Sequence, residues 1–118
     1  MVPDRIKATS MSSQLSVQDD FGNSVDDSEA IKQELVNELT RLELSLNEAK
    51  IIVRLVSRGP AIASDISRDL SMPRTETYHY ISSLLGKGIV LSTFSKPRKY
   101  YSLSFDEVVD HLVQTKYN

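Results

Sequence analysis

The residues Ser71-Met72-Pro73 are the only link between two short segments that both read as helix. Before them, about residues 63–70 place Ile66 and Leu70 four positions apart on one helical face. After them, the stretch from Pro73 to Gly86 carries Tyr78, Ile81, Leu84 and Leu85 at helical spacing, and these four form its expected inward face. Pro73 has no amide to lose in a first turn. At the far end, Lys87-Gly88 supplies a cation that suits a helix C-terminus and a residue that ends it easily. Two helices joined by so short a turn cross steeply, as in a helix-turn-helix.

The flanking sequence extends that unit on both sides. Ser45 and Glu48, in SLNE, have the spacing of a capping box, in which each side chain satisfies an orphan amide of the first turn. The helix they open places Ala49, Ile52, Val53 and Val56 on one side and stops at Gly59-Pro60. Ala61-Ile62 reads as a brief extended piece. IVLSTF (89–94) and YYSLS (100–104) read as strands, with SKPRK between them as an exposed hairpin tip. Ile31, Leu35, Leu39 and Leu42 recur at steps of four, four and three, which predicts an N-terminal helix over 28–43 with Ser28 as its N-cap. A C-terminal helix is expected over 106–117, with Val108, Val109, Leu112 and Val113 on its apolar side. Residues 1–27 are rich in Ser and Asp without sustained period and read as a disordered leader. The expected fold class is mainly α with a small β-wing, a winged helix-turn-helix with flanking N- and C-terminal helices forming one domain over 28–118.

The formal net charge of −2 conceals a segregation. Residues 54–101 hold 8 Lys+Arg against 3 Asp+Glu, a net of +5, whereas residues 1–53 carry a net of −5 and residues 102–118 a net of −2. A basic middle between acidic ends fits a localised polyanion-binding face, and by charge alone it fits a solvated surface equally well. The chain has no cysteine, which excludes disulfides and thiolate metal sites. It has no long apolar run and no signal-peptide pattern, so the expected location is the cytoplasm, with no membrane partner.

Candidate binding residues follow from the helical wheel of the segment beginning at Pro73. Opposite its expected inward face stand Glu76, His79 and Ser83, flanked by Thr75, Tyr80 and Ser82, with Arg74 at the start. The N-terminal part of such a helix enters the major groove of double-stranded DNA. Arg can bind guanine O6 and N7, Thr can touch a thymine methyl, and Glu can accept from cytosine N4. Lys96, Arg98 and Lys99 at the hairpin tip suit phosphate or minor-groove contact, or serve only to keep the tip soluble. Ser64 is either a phosphate contact or a plain helix cap, and Arg68 and Arg58 are open between phosphate contact and internal pairing. His79 and His111 lie on different helices with no carboxylate at zinc spacing, so no metal is expected. With no Ser/His/Asp constellation, phosphate loop or glycine fingerprint, the reading is of a protein that is not an enzyme and needs no cofactor.

The ordered series LxxxEAK (44–50), GPA (59–61), S-D-I (64–66), PRT-x-x-Y (73–78), KGIV (87–90) and P-R-x-Y (97–100) resembles the DNA-binding domain of the archaeal TrmB-type transcriptional regulators. The similarity covers roughly residues 42–104. It departs where Ile62 replaces a common threonine cap and where Glu76 stands near a usual basic residue. The resemblance implies a sequence-specific DNA-binding regulator. Larger members add a sugar-binding effector domain, which is not expected here, and no small-molecule effector is evident. Ile31, Leu35, Leu39 and Leu42, with Val109, Leu112 and Val113, form apolar stripes on the flanking helices; they are the expected homodimer interface, which would predict a palindromic operator. The competing arrangement packs the two terminal helices on each other within one chain, giving a monomer. The rival functions are a winged-helix protein-protein docking module and a low-specificity chromatin or general transcription factor.

Overall fold

The computed structural model describes the backbone of residues 20–117 and the side chains of residues 28–115. The elements in order are α1 (Asp20–Arg41), α2 (Leu46–Arg58), α3 (Ala63–Asp69), α4 (Arg74–Lys87), β1 (Val90–Ser92), β2 (Tyr100–Ser102) and α5 (Phe105–Tyr117). The chain divides between Glu34 and Leu35. On the near side lies the N-terminal stretch of α1, where Lys32 and Glu29 pair at 3.7 Å one turn apart. Everything else belongs to the unit from Leu35 onward.

That unit is built around α2. The capping box forms as expected: the Glu48 amide donates to Ser45 Oγ at 3.2 Å, and the Ser45 amide donates to Glu48 Oε1 at 3.0 Å. Ala49, Ile51, Ile52, Val53 and Leu55 are all buried, so α2 is covered on most sides and packs against both α4 and β2. Val56, expected inside, is exposed, and Ile51 and Leu55 take the places that a one-sided face would leave to solvent. Fully burying an Ile or Leu is worth about 1.5–3 kcal/mol, which makes Ile51, Ile52, Ile66, Ile81, Leu84 and Ile89 the main apolar anchors.

The link from α3 to α4 is fastened by backbone and hydroxyl together. Ser71 adopts a positive φ of 52°. The Met72 amide donates to the Ser67 carbonyl at 2.9 Å, and Ser67 Oγ donates to the Met72 carbonyl at 2.6 Å. Met72 is thereby turned into the core. At the far end of α4, Gly88 closes the helix in the left-handed conformation, where a side chain would be strained.

β1 and β2 pair antiparallel, with Val90 opposite Ser102, Leu91 opposite Tyr101 and Ser92 opposite Tyr100. Both strands are shorter than expected, so residues 93–99 form the loop between them. Ala61 adds an isolated bridge to Tyr100, with mutual amide–carbonyl bonds of 3.0 and 2.8 Å. The hairpin is thus tied to the core at its base. A second capping box, Ser104 with Glu107, opens α5. Among the described residues the result is five helices and one two-stranded hairpin, a winged helix-turn-helix, as the sequence predicts.

Three expectations are corrected. The N-terminal helix begins at Asp20, eight residues before Ser28, so Ser28 lies inside it and caps nothing, and residues 20–27 of the expected leader are helical; residues 1–19 lie outside the described residues. Tyr78 does not face inward: it is 48% exposed, and Thr77 takes its place in the core at 0%. The apolar stripes are not free surfaces. Leu39 and Leu112 are buried in the unit's own core, while Leu35, Leu42 and Val109 pack against it. Only Ile31 and Val113 of those seven residues are exposed. The unit uses Leu35, Val36 and Leu39 of α1, and Phe105, Val108, Val109 and Leu112 of α5, to complete one core.

Candidate nucleic-acid interface

The phase of α4 determines what it presents. Thr77, Ile81 and Leu84 are buried, a spacing of four and three that fixes the opposite stripe as Thr75, Tyr78, His79 and Ser82. All four are exposed, as are Arg74 and Glu76 in the first turn. Thr77 can lie inside because its hydroxyl donates to the Pro73 carbonyl at 3.0 Å, leaving no unsatisfied polar atom.

Two residues expected on the outward face are placed elsewhere. Tyr80 is half-buried and packs on the core, its ring edge-on to His79 with centroids 5.5 Å apart. Ser83 donates to Glu48 Oε2 at 2.6 Å, and Lys87 Nζ reaches the same oxygen at 2.9 Å and Ser83 Oγ at 3.1 Å. The buried Glu48 carboxylate therefore clamps the C-terminal half of α4 to the start of α2. Burial works to raise its pKa, but the bonds from Ser83, the Ser45 amide and Lys87, with the charge of Lys87, outweigh that and hold it below the usual 4.5.

A second ionic node ties α2 to α3. Asp69 Oδ2 accepts from Arg54 Nε at 2.7 Å and from Arg58 Nη1 at 3.0 Å. The Arg54 bond, which outweighs a smaller effect of burial, is the main reason the Asp69 carboxyl sits below its ordinary value; the charges of Arg54, Arg58 and Arg68 add to it. Arg68 pairs with Asp65 at 2.7 Å, one turn away. Ser64 caps nothing: the N-cap of α3 is Ile62, which makes no side-chain bond, in keeping with the missing threonine.

These pairings divide the basic middle in two. Arg54, Arg58, Arg68 and Lys87 each meet a carboxylate. Arg74, Lys96, Arg98 and Lys99 have no such partner among the described residues, and all four are exposed. They stand at the first residue of α4 and at the tip of the hairpin. An open cleft of about 210 Å³ joins the two places, lined by Ser64, Arg74, Tyr78, Arg98 and neighbouring apolar atoms. Sequence reasoning missed Tyr78, because its ring made it look like core. It also missed Phe94, which an overlong strand reading hid and which is 99% exposed at the tip. Among the described residues no group of His, Asp and Glu could hold a metal ion, and no helix is long and apolar enough to cross a membrane.

A helix-turn-helix whose second helix and wing share one cationic face defines a winged-helix module of the nucleic-acid-binding kind. A family model described as "Sugar-specific transcriptional regulator TrmB" matches residues 39–106, and the chain belongs to that family. It is 27% identical over 82 residues to the HTH-type sugar sensing transcriptional regulator TrmBL1 of Pyrococcus furiosus, a match that covers 70% of this chain and 24% of that protein. The solved structure of TrmBL2, an archaeal chromatin protein described as showing a novel mode of DNA binding, aligns with a TM-score of 0.66 at 28% identity. That match covers 73% of this chain and 34% of the other, so the chain spans about a quarter to a third of the length of these relatives. RV1404 from Mycobacterium tuberculosis aligns with a TM-score of 0.54 at 11% identity over 84% of this chain and 73% of its own, a likeness of fold.

Proposed function

We propose that the chain is a sequence-specific regulator that binds double-stranded DNA, reading bases with the early turns of α4, Arg74 included, and holding phosphates with the wing. The observation that carries this reading is that Arg74 at the start of α4 and Arg98 at the hairpin tip, neither with a carboxylate partner among the described residues, line one cleft beside the outward face of α4. In this reading Arg74, Thr75, Glu76, Tyr78 and His79 meet the major groove. Lys96, Arg98 and Lys99 meet the backbone beside it, and Ser64 lies where a phosphate would pass. Arg68 stays with Asp65 and Ser83 with Glu48, so neither is proposed as a DNA contact.

Two-fold pairing belongs to the same proposal, now on a smaller surface. The described core begins at Leu35, and fifteen residues of α1 precede it in the other unit. Helices of about 12–15 residues are marginal in water without a partner. A second copy meeting this stretch, where Ile31 is 59% exposed, would stabilise it and favour a palindromic operator.

A second reading, low-specificity DNA coating, is favoured by the likeness to TrmBL2, which is described as a chromatin protein. Selection of bound duplexes from a random pool decides between them. A recovered consensus, with affinity at least about 10³ above random duplex, is expected; equal recovery of all sequences would support the second reading. No retention of any duplex at low salt would leave only a docking module.

A further inference from the structure

We propose that Phe94 is an apolar wedge that the wing inserts between base pairs from the minor groove of bound DNA; the proposal rests on the DNA-binding reading above. Single exposed hydrophobics are common on protein surfaces and usually mean nothing. Leu91 and Tyr101 on the same hairpin are of that kind, at 40% and 38% exposure. Phe94 differs, because at 99% its ring is covered by nothing in its own unit.

The loop beneath the ring is fastened. The Thr93 amide donates to the Lys99 carbonyl at 2.9 Å, and the Lys99 amide donates to Thr93 Oγ1 at 3.1 Å. Thr93 Oγ1 and Ser95 Oγ lie 3.0 Å apart, so hydrogen bonds bracket the ring on both sides. Lower down, Tyr100 is buried and bridged to Ala61, which anchors the hairpin in the core. The aromatic ring is held outward on a braced projection.

The ring's neighbours identify the occupant. Lys96, Arg98 and Lys99 share the tip, exposed and without carboxylate partners among the described residues. A projection with an apolar ring and a cationic collar complements a polyanion whose interior is a stack of flat apolar rings. Duplex DNA is such a body: the cations meet phosphates while the ring enters a base step. Minor-groove proteins use Phe, Leu, Ile, Met or Pro in this way, partly unstacking the step and kinking the duplex. An acidic protein surface would answer the cations but supplies no stack for the ring.

The chain contains no tryptophan, so Phe94→Trp places a single indole, excited apart from the tyrosines, at the tip of the wing. On titration with duplex, its emission is expected to be quenched and shielded from acrylamide. Phe94→Ala is expected to weaken duplex binding about tenfold, the stacking gain less the work of unstacking. It should leave the slope of log affinity against log salt unchanged, because no counterion is involved. If the unmutated protein and Phe94→Trp bind duplex but the indole stays open to acrylamide, or if Phe94→Ala binds as tightly as the parent, the wedge is overturned and the DNA reading stands. If the unmutated protein retains no duplex at low salt, both fall together.

Discussion

Glu48 illustrates how one side chain sets the geometry of a surface it never reaches. Its two carboxylate oxygens take the Ser45 amide, the Ser83 hydroxyl and the Lys87 ammonium, so the orientation of α4 is fixed from behind. Because the folded pKa lies below 4.5, the carboxylate contributes stability above its unfolded pKa, and that contribution is lost as pH falls through the folded value. Asp69 titrates in the same sense, so a control is needed. Between about pH 5 and about pH 3 the parent protein should lose more urea resistance than Glu48→Gln, which keeps Asp69 but has no charge at this node. Glu48→Ala, which removes the cap and the clamp together, should cost about 2–3 kcal/mol at neutral pH. The inward place of Thr77 gives a second residue-level test. Ile81→Ala should cost about 2–5 kcal/mol by leaving a cavity, while Tyr78→Ala should change stability by less than about 0.5 kcal/mol. Equal losses in thermal or urea unfolding would restore Tyr78 to the core.

At the level of elements, the parts with covalent or hydrogen-bonding signatures were legible in the sequence. The capping box at Ser45, the Gly59-Pro60 stop, the tight link before α4 and the Gly88 terminus all lie where the residues imply. What was not legible was phase and extent. A threonine that bonds its own helix can be buried while a tyrosine one position on is not, and hydrophobicity alone ranks them the other way. Ser28 with Glu29 has the composition of a helix start, yet α1 continues eight residues further back through sequence with no apolar period. The strands end after Ser92: the Thr93 amide still donates to the Lys99 carbonyl, but the Lys99 amide goes to Thr93 Oγ1, which leaves Phe94 at the tip and not in a strand. The wing also yields a prediction of its own. If its cations neutralise phosphates, Lys96→Gln with Arg98→Gln should flatten the slope of log affinity against log salt by up to roughly 2, about 0.9 for each contact. An unchanged slope would place the wing away from the backbone.

For the whole molecule, the formal charge misleads in both directions. The total is acidic, yet the proposed interface is cationic, and half of the basic middle is spoken for by Asp65, Asp69 and Glu48. Placing four cations on internal duty leaves a small cationic face on an acidic body, which fits selective binding better than indiscriminate adhesion to polyanions. Assembly depends on the same distinction between residues used inside and residues left outside. Leu39 is 0% exposed within the unit that begins at Leu35, so Leu39→Glu should unfold that unit whatever the protein's assembly state. Ile31 is exposed and lies in the other unit, so Ile31→Glu should leave the circular dichroism and the unfolding midpoint of the unit from Leu35 nearly unchanged. If two copies pair along the first half of α1, the parent should sediment as a dimer at about ten micromolar, and Ile31→Glu as a folded monomer. Its affinity for a palindromic site should then fall to near that for an isolated half-site, because two reading helices no longer act together at one helical turn, about 34 Å, of separation. A parent protein that sediments as a monomer at that concentration, or an Ile31→Glu variant that keeps full affinity for the palindrome, would remove pairing from the proposal while leaving the reading face intact.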